Sequence, residues 1–575
     1  MIDGPAAPRA APQIRTLARA FLARFFDNDL TRGSMDVQKS FLWMIAALAM
    51  PEFILPNLAT NRWSITAMSY APMGGEAYFR RVVDTDLVIA MGMTMASMGL
   101  LGAIVWHSLL IDRRDVLVLG AFPVRHRAVL AGKALALAGW FGIISAGMHP
   151  LGALFYGIHI GAVTSPWLGV AIVLVHIVVA TLAGLFTFLA VIAAQGALLA
   201  VAGPRLFERV TPVLQVGLVS AVVLLFVTLP LIGKAAVPTI HALPPSSETW
   251  PLLLPPVWFV GLYETLLGTS SPILHGLAAR ALTALAALAA IGAITYPLAY
   301  RRVVAAATTA APTTRRRWRR RLIAGLPSLL ASDAPSRATL QFTLAAFSRS
   351  ATHRLVLAVA IGIATALIAP ILLENQSGIP ALPTPGLLAV PSLLMAGLLV
   401  GLRIASSLPA ELPAAWIFAA APGDDWTRHR RVVRRLIATI GIGVPGLIGG
   451  VICVVFWGPA IALVHTLVFA SASMLTMEVL FAGFDGTPCT TPYEPGRAQL
   501  QSRWPLYVLG VFLLAIQLPS FESWAFLRDE PRLLWRLAAV LAVAAFIVRR
   551  RADRDLPAHT ADDRRAEQPA GIGLS

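Results

Sequence analysis

Charge is scarce in this 575-residue sequence: Asp, Glu, Lys and Arg together make up 13% of it, against 57% apolar residues. With a mean hydropathy of +0.73, it lacks the polar surface that a soluble globule of this length needs, and that class is excluded. Cysteine is almost absent. Cys453 lies in an apolar run and Cys489 in a loop, and two such thiols supply neither a disulfide framework nor a thiolate metal site. Lysine is nearly missing too, with three copies (39, 133 and 234) among 46 basic residues.

The motifs of several chemistries are also missing. A nucleotide-binding loop GxxxxGK[ST] needs glycines for close approach to phosphates, Lys for their charge and Ser or Thr for magnesium. Gly132-Lys133 is followed by Ala134 and has Arg127 at the first glycine position, while Gly233-Lys234 is followed by Ala235 and has Thr228 there. Neither HExxH nor GxSxG occurs, so zinc-protease and serine-esterase chemistry have no recognisable centre. No catalytic residue, metal ligand set or cofactor is expected, and the chain is expected to hydrolyse nothing itself.

What is present is a succession of apolar runs, each long enough to cross about 30 Å of hydrocarbon. They predict an all-α polytopic membrane protein of about twelve transmembrane helices, at approximately 41–58, 87–110, 134–156, 168–200, 211–232, 274–300, 355–373, 386–407, 437–457, 460–482, 504–520 and 534–548. No short hydrophobic stretch with a small-residue cleavage site precedes Phe41, so the first span is expected to stay as an anchor. An N-in orientation leaves Arg62, Arg80, Arg81, Lys234, Arg280, Arg528, Arg532 and Arg536 outside and 38 of 46 basic residues inside, the asymmetry that the positive-inside rule demands. Both termini are then cytoplasmic. The net charge of +17 belongs to short loops facing anionic headgroups, not to nucleic-acid binding.

The spans divide into two pseudo-repeated six-helix halves, 1–302 and 337–551, joined by a basic linker at 303–336 and followed by a cytoplasmic tail at 552–575. Between the second and third spans, Asp112, Arg113, Arg114 and Asp115 open a compact amphipathic hairpin that turns at Pro123. A looser copy follows the eighth span, with Pro409, Glu411, Leu412, Trp416, Phe418 and Pro422, then Asp424, Asp425 and Arg428 in the run GDDWTRHRR. This plan resembles the permease subunits of ABC transporters, in particular the type-2 exporter class in its large bacterial two-half form. The segments LPPVWFVGLYETLLG at 254–268 and TPCTTPYEPGRAQLQSRWPLY at 487–507 look like parts of such permeases. The resemblance implies an interfacial helix before the first span, a cytoplasmic coupling helix between spans two and three, and a hydrophobic external segment between spans five and six. It also implies a permease component of an ATP-driven exporter in a bacterial inner membrane. Separate cytoplasmic ATPase subunits would couple through 112–127 and 409–431, and the transported substrate is not encoded in these features.

Other segments fit the same plan. Ile14, Leu17, Ala18, Phe21, Leu22 and Phe25 share one face of a predicted helix over 14–30, with Arg15, Arg19 and Arg24 mostly off it; such a helix lies along the interface with its apolar side in lipid. Leu340, Leu344 and Phe347 mark a weaker counterpart at 338–350. In the external segment at 233–273, Trp250, Trp258 and Tyr263 are interleaved with Pro251, Pro255 and Pro256. That pattern fits short interfacial or re-entrant helices, or a lipid-anchored loop. Ionisable residues inside the spans are few: Glu52 beside Pro51, His275 and Arg280, Glu478, and His107, His149 and His176. All but Glu52 and His176 lie within about two turns of an interface, and no relay is evident. The sparseness weighs against the competing class, an ion-coupled secondary transporter with two six-helix repeats. A membrane-embedded enzyme would show clustered acids or histidines at one face, and beyond the DRRD turn none stands out.

This topology places Cys489 in a cytoplasmic loop and Cys453 within the ninth span. A membrane-impermeant maleimide is expected to leave intact cells unlabelled and to modify Cys489 once the membrane is opened. Strong labelling of Cys489 in intact cells overturns the orientation.

Overall fold

With no water inside a bilayer, a spanning backbone must satisfy its own amides, and only helices or closed barrels do so. In the computed structural model of the chain every regular element among the described residues is a helix. The structure describes residues 10–26, 52, 55–56, 63, 76–111, 113–240, 250–269, 271–308, 325, 327–375, 378, 380–408, 426–482, 510, 514 and 517–554. Among them, nine helices are long and apolar enough to cross a membrane, which makes the chain an all-α, multi-pass membrane protein. It divides into two compact units, Met1–Arg315 and Arg316–Ser575, split within the expected linker.

The first unit contains α1 (Ala10–Phe26), α2 (Glu76–Ile104), α3 (Arg113–Leu119), α4 (His126–Val163), α5 (Pro166–Ile240), α6 (Pro255–Leu266) and α7 (Pro272–Thr308). The spanning part of α5 runs for 73 residues, too long for one crossing. Gly203 breaks it, at φ +75° and ψ 169°, a conformation open to glycine but costly with a Cβ. The two arms on either side match the expected spans at 168–200 and 211–232. Of the twelve expected spans, 41–58 and 504–520 fall largely outside the described residues.

The second unit contains α8 (Ala334–Arg349), α9 (Ala351–Glu374), α10 (Pro385–Ser407), α11 (Trp426–Ala438), a π-helical turn (Thr439–Gly443), α12 (Val444–Trp457), α13 (Pro459–Leu480), α14 (Leu518–Leu527) and α15 (Pro531–Arg554). Proline, abundant at 41 copies, starts α5, α6, α7, α10, α13 and α15, where its missing N–H costs nothing and its fixed φ suits the first turn. Asp333 caps α8 by accepting a hydrogen bond from the Ser336 amide at 3.1 Å, as N-cap carboxylates do. The sequence order of a lead-in amphipathic helix, spans, and a short helix immediately before the last span (α6 before α7, α14 before α15) recurs in both units.

Three expected boundaries move. The second span is expected from 87, but α2 starts at Glu76, which brings Asp84 and Asp86 inside it. Residues 303–308 of the expected linker continue α7, and α8 begins at Ala334; the Arg triplets lie outside the described residues. The lead-in helix begins at Ala10 rather than 14, with 27–30 outside the described residues, and its apolar face does not rest in lipid alone: Leu17, Ala18, Phe21 and Phe25 are buried. They lie against α4, where Phe25 and Trp140 stack with ring centroids 5.5 Å apart. Gly132 makes that contact possible, because a Cβ there would come within 2.8 Å of Leu17 Cβ.

Backbone approach also sets the crossing of α4 and α5. A Cβ on Gly157 would lie 2.6 Å from the Gly169 carbonyl oxygen, and a Cβ on Gly169 the same distance from that of Gly157. Small residues at such crossings let membrane helices pack closely where no hydrophobic force drives them together. Gly217, by contrast, has open space around its Cβ position. Gly157→Ala is expected to destabilise the chain by about 1–3 kcal/mol through overpacking, whereas Gly217→Ala gains up to about 1 kcal/mol of helix propensity. Thermal unfolding of the two variants in detergent checks this, and equal melting temperatures contradict it.

Candidate functional site

At one end of the first unit, the segment between α2 and α4 is clamped from several sides. Asp115, on the first turn of α3, is buried and paired with Arg24 of α1. Lys133, one turn into the buried part of α4, is 4% exposed. Its Nζ donates to the Ser108 carbonyl at 2.6 Å and sits 4.9 Å from the ring centroids of both Phe21 and Phe25. Cation–π attraction and the charge-assisted bond offset the desolvation of this ammonium. Helix α7 joins as well: the Tyr296 hydroxyl donates to the Leu109 carbonyl at 3.1 Å, and Tyr300 Oη is 2.8 Å from His126 Nδ1. The tip of the hairpin stays bare. Leu117, Val118 and Phe122 are 58%, 55% and 60% exposed, and Pro123 is exposed in the turn that follows.

The remaining residues named for coupling are less visible. Arg113 and Arg114 begin α3, and Arg428 lies on α11, but their side chains are outside the described set. Asp112, Glu411, Asp424 and Asp425 lie outside the described residues altogether. On α11, Arg434 pairs with the buried Glu478 of α13, so this intramembrane carboxylate is neutralised within its unit. The neighbouring Arg403 of α10 is buried and donates through Nε to the Leu480 carbonyl at 3.0 Å.

A second polar assembly occupies the opposite half of the first unit. Glu52 is 1% exposed and Thr94, His149 and His176 are fully buried. The Glu52 carboxylate accepts from the Thr94 hydroxyl at 2.6 Å and has both oxygens 3.0 Å from His149 Nδ1. Gly152, one turn beyond His149, lets α4 reach Glu52, since a Cβ there would meet Glu52 at 3.0 Å. His176 lies face-on against Tyr156 at 4.7 Å between centroids and edge-on to Tyr263 at 5.9 Å. Towards the start of α2, Trp63 Nε1 donates to Asp86 at 2.8 Å, and Asp84 shares a hydrogen bond with Glu264 of α6.

Asp84, Asp86 and His465, buried in spanning helices, correct the expected sparseness of intramembrane charge, while Glu264 and Glu522 are buried on the short helices α6 and α14. The signal for Asp84 and Asp86 was present in the DTD triplet, hidden because hydropathy alone set the span start three residues later. In the second unit the matching short helix α14 carries Glu522, 2.6 Å from His465 Nδ1 on α13. Among the described residues, no three His, Cys, Asp or Glu side chains are placed to hold a metal ion.

The external segment is a 3₁₀ turn at Trp250–Leu253 followed by α6. Helix α6 is packed into the unit, with Tyr263 and Glu264 buried, and so is not a lipid-anchored loop. Trp258 Nε1 pins the 3₁₀ turn by donating to the Leu252 carbonyl at 2.8 Å, while Trp250 is half exposed. Arg280 is exposed on α7 and donates to that same carbonyl at 3.4 Å, so it braces the turn and does not line an interior.

No family model, curated protein or solved structure matches the chain. The functional reading therefore rests on the residues themselves.

Burial and the neighbouring Asp84 push the Glu264 carboxyl up to about 7, partly opposed by Thr269 and Arg80. Because the folded chain holds this proton to higher pH than the ordinary 4.5, the stability it contributes is fully present below about pH 4.5 and is lost as pH rises towards 7. Relative to Glu264→Gln, the wild-type chain is expected to lose on the order of 2 kcal/mol between those limits. Melting temperatures of both forms across that range measure the difference, and parallel profiles refute it.

Proposed function

We propose that the chain is the permease component of an ATP-driven exporter, working with separate cytoplasmic ATPase subunits in a bacterial inner membrane. The observation that carries this reading is the hairpin at 113–125. Its apolar tip is exposed, while its base is tied by Asp115 to Arg24, by Lys133 to Ser108 and by α7 through Tyr296 and Tyr300. A push on such a tip does not dissipate in a loop. It passes to α1, α2, α4 and α7 together, which is what a coupling element between an ATPase and a set of spans requires. A sequence without a phosphate-cradling loop supports placing hydrolysis on another chain.

One observation favours a second reading. The buried Glu52, Thr94 and His149 set is the kind of intramembrane charge that ion-coupled secondary transporters use. Transport by proteoliposomes driven by a pH gradient, without any ATPase, separates the two.

The hairpin reading is tested by Leu117→Glu combined with Phe122→Glu. Charges placed at the centre of a protein interface cost about 2 kcal/mol or more of association, so the variant is expected to reach the membrane at wild-type levels and to lose the co-purifying ATPase. Arg113→Glu with Arg114→Glu is expected to do the same, and Arg315→Glu with Arg316→Glu serves as a control for altered topology. Retention of the ATPase by both hairpin variants refutes the coupling role.

A further inference from the structure

We propose that Glu52, His149 and His176 form a buried proton-binding site in the first unit. This goes beyond the permease reading and does not depend on it. Glu52 accepts from Thr94 and faces His149 Nδ1. If the imidazole is neutral with its proton on Nδ1, Nε2 is left with a free lone pair. That atom has no hydrogen-bond partner, and neither ring nitrogen of His176 has one. Leaving a buried polar atom unsatisfied costs about 1–3 kcal/mol, and one of these atoms belongs to the ring that contacts the Glu52 carboxylate. His176 lies within electrostatic reach of both Glu52 and His149.

The chemistry of the ligand follows from what the groups offer. They offer lone pairs and negative charge: Glu52, Asp84, Asp86 and Glu264 are all buried, while Lys133, the buried cation of this unit among the described residues, belongs to the hairpin clamp. Among the described residues, no trio of side chains is arranged for a metal ion. A proton needs no trio. It adds to the free lone pair of His149, and the imidazolium so formed is balanced by the contacting Glu52 carboxylate. No other bond is made or broken, and the proton leaves by the same lone pair.

The surrounding groups are consistent with a route. On α2, Asp84 and Asp86 stand about 15 Å from Thr94 along the helix, with Trp63 bonded to Asp86. On α4, the Tyr156 hydroxyl donates to the Asp86 carbonyl at 3.4 Å while its ring covers His176, and His159 bonds its own helix at Phe155. From α6 come Glu264 and Tyr263, whose buried hydroxyl has no partner. Arg81 of α2 is half-buried, and Arg80 of α2, Lys234 of α5 and His275 and Arg280 of α7 are exposed. Acidic and aromatic groups thus continue from the end of the bundle opposite the hairpin down to Glu52.

The test uses the full chain in lipid nanodiscs with ¹⁵N-labelled histidine, the rings being assigned through His149→Gln and His176→Gln. At least one of the two rings is expected to titrate reversibly between about pH 5 and 8. Glu52→Gln is expected to move that midpoint by about tenfold or more in proton concentration, as loss of a contacting opposite charge does, whereas Glu208→Gln, at an exposed position of α5, leaves it in place. Should Glu52→Gln fail to fold, Thr94→Val perturbs the same carboxylate, and the wild-type titration still decides whether protons bind. Two rings that keep one protonation state throughout, or a midpoint unmoved by both Glu52→Gln and Thr94→Val, overturn the proposal.

Discussion

Hydrocarbon offers a polar side chain no water, so a charged group inside these helices is costly unless another group of the same unit answers it. That constraint organises the structure. Lys133 is answered by a carbonyl and two phenylalanine rings, Asp115 by Arg24, Glu478 by Arg434, Glu522 by His465 and Glu52 by Thr94 and His149. Each pair fixes the relative position of two helices more tightly than interchangeable apolar contacts do, because an alternative packing would leave a charge unanswered.

The two units solve the constraint in parallel with different chemistry. Each places a short, half-buried helix ahead of its last span, and each of those helices turns a glutamate inward. In the first unit Glu264 meets another carboxylate, Asp84. In the second, Glu522 meets His465, and the pair resembles an internal salt link when the ring is charged and a plain hydrogen bond when it is not. The common order of elements thus does not carry a common set of titratable partners.

Much of the architecture was legible because it follows from periodicity and length. Apolar runs located the spans, and the alternation around Leu17, Phe21 and Phe25 located α1 and its buried face. What covers that face was not legible: an amphipathic stripe fits a lipid surface and a protein groove equally, and only Gly132 and Trp140, far along the chain, decide between them. The candidate site was hidden for the same reason. Glu52 and His149 are separated by 97 positions, and each alone is an isolated polar residue in an apolar stretch. Asp84 and Asp86 were lost differently, since a hydropathy window ends at the first charges even where the helix goes on for two more turns.

The Arg24–Asp115 contact has a consequence for how the protein is made. Its partners stand 91 positions apart, so α1 leaves the ribosome well before the segment that will hold it. In the interval its exposed Leu17, Phe21 and Phe25 have one apolar surface to rest on, the lipid of the nearest leaflet. The membrane therefore serves α1 first as a waiting place and later gives it up to Trp140 and Lys133, which makes arrival of the third span the event that completes the hairpin's anchorage.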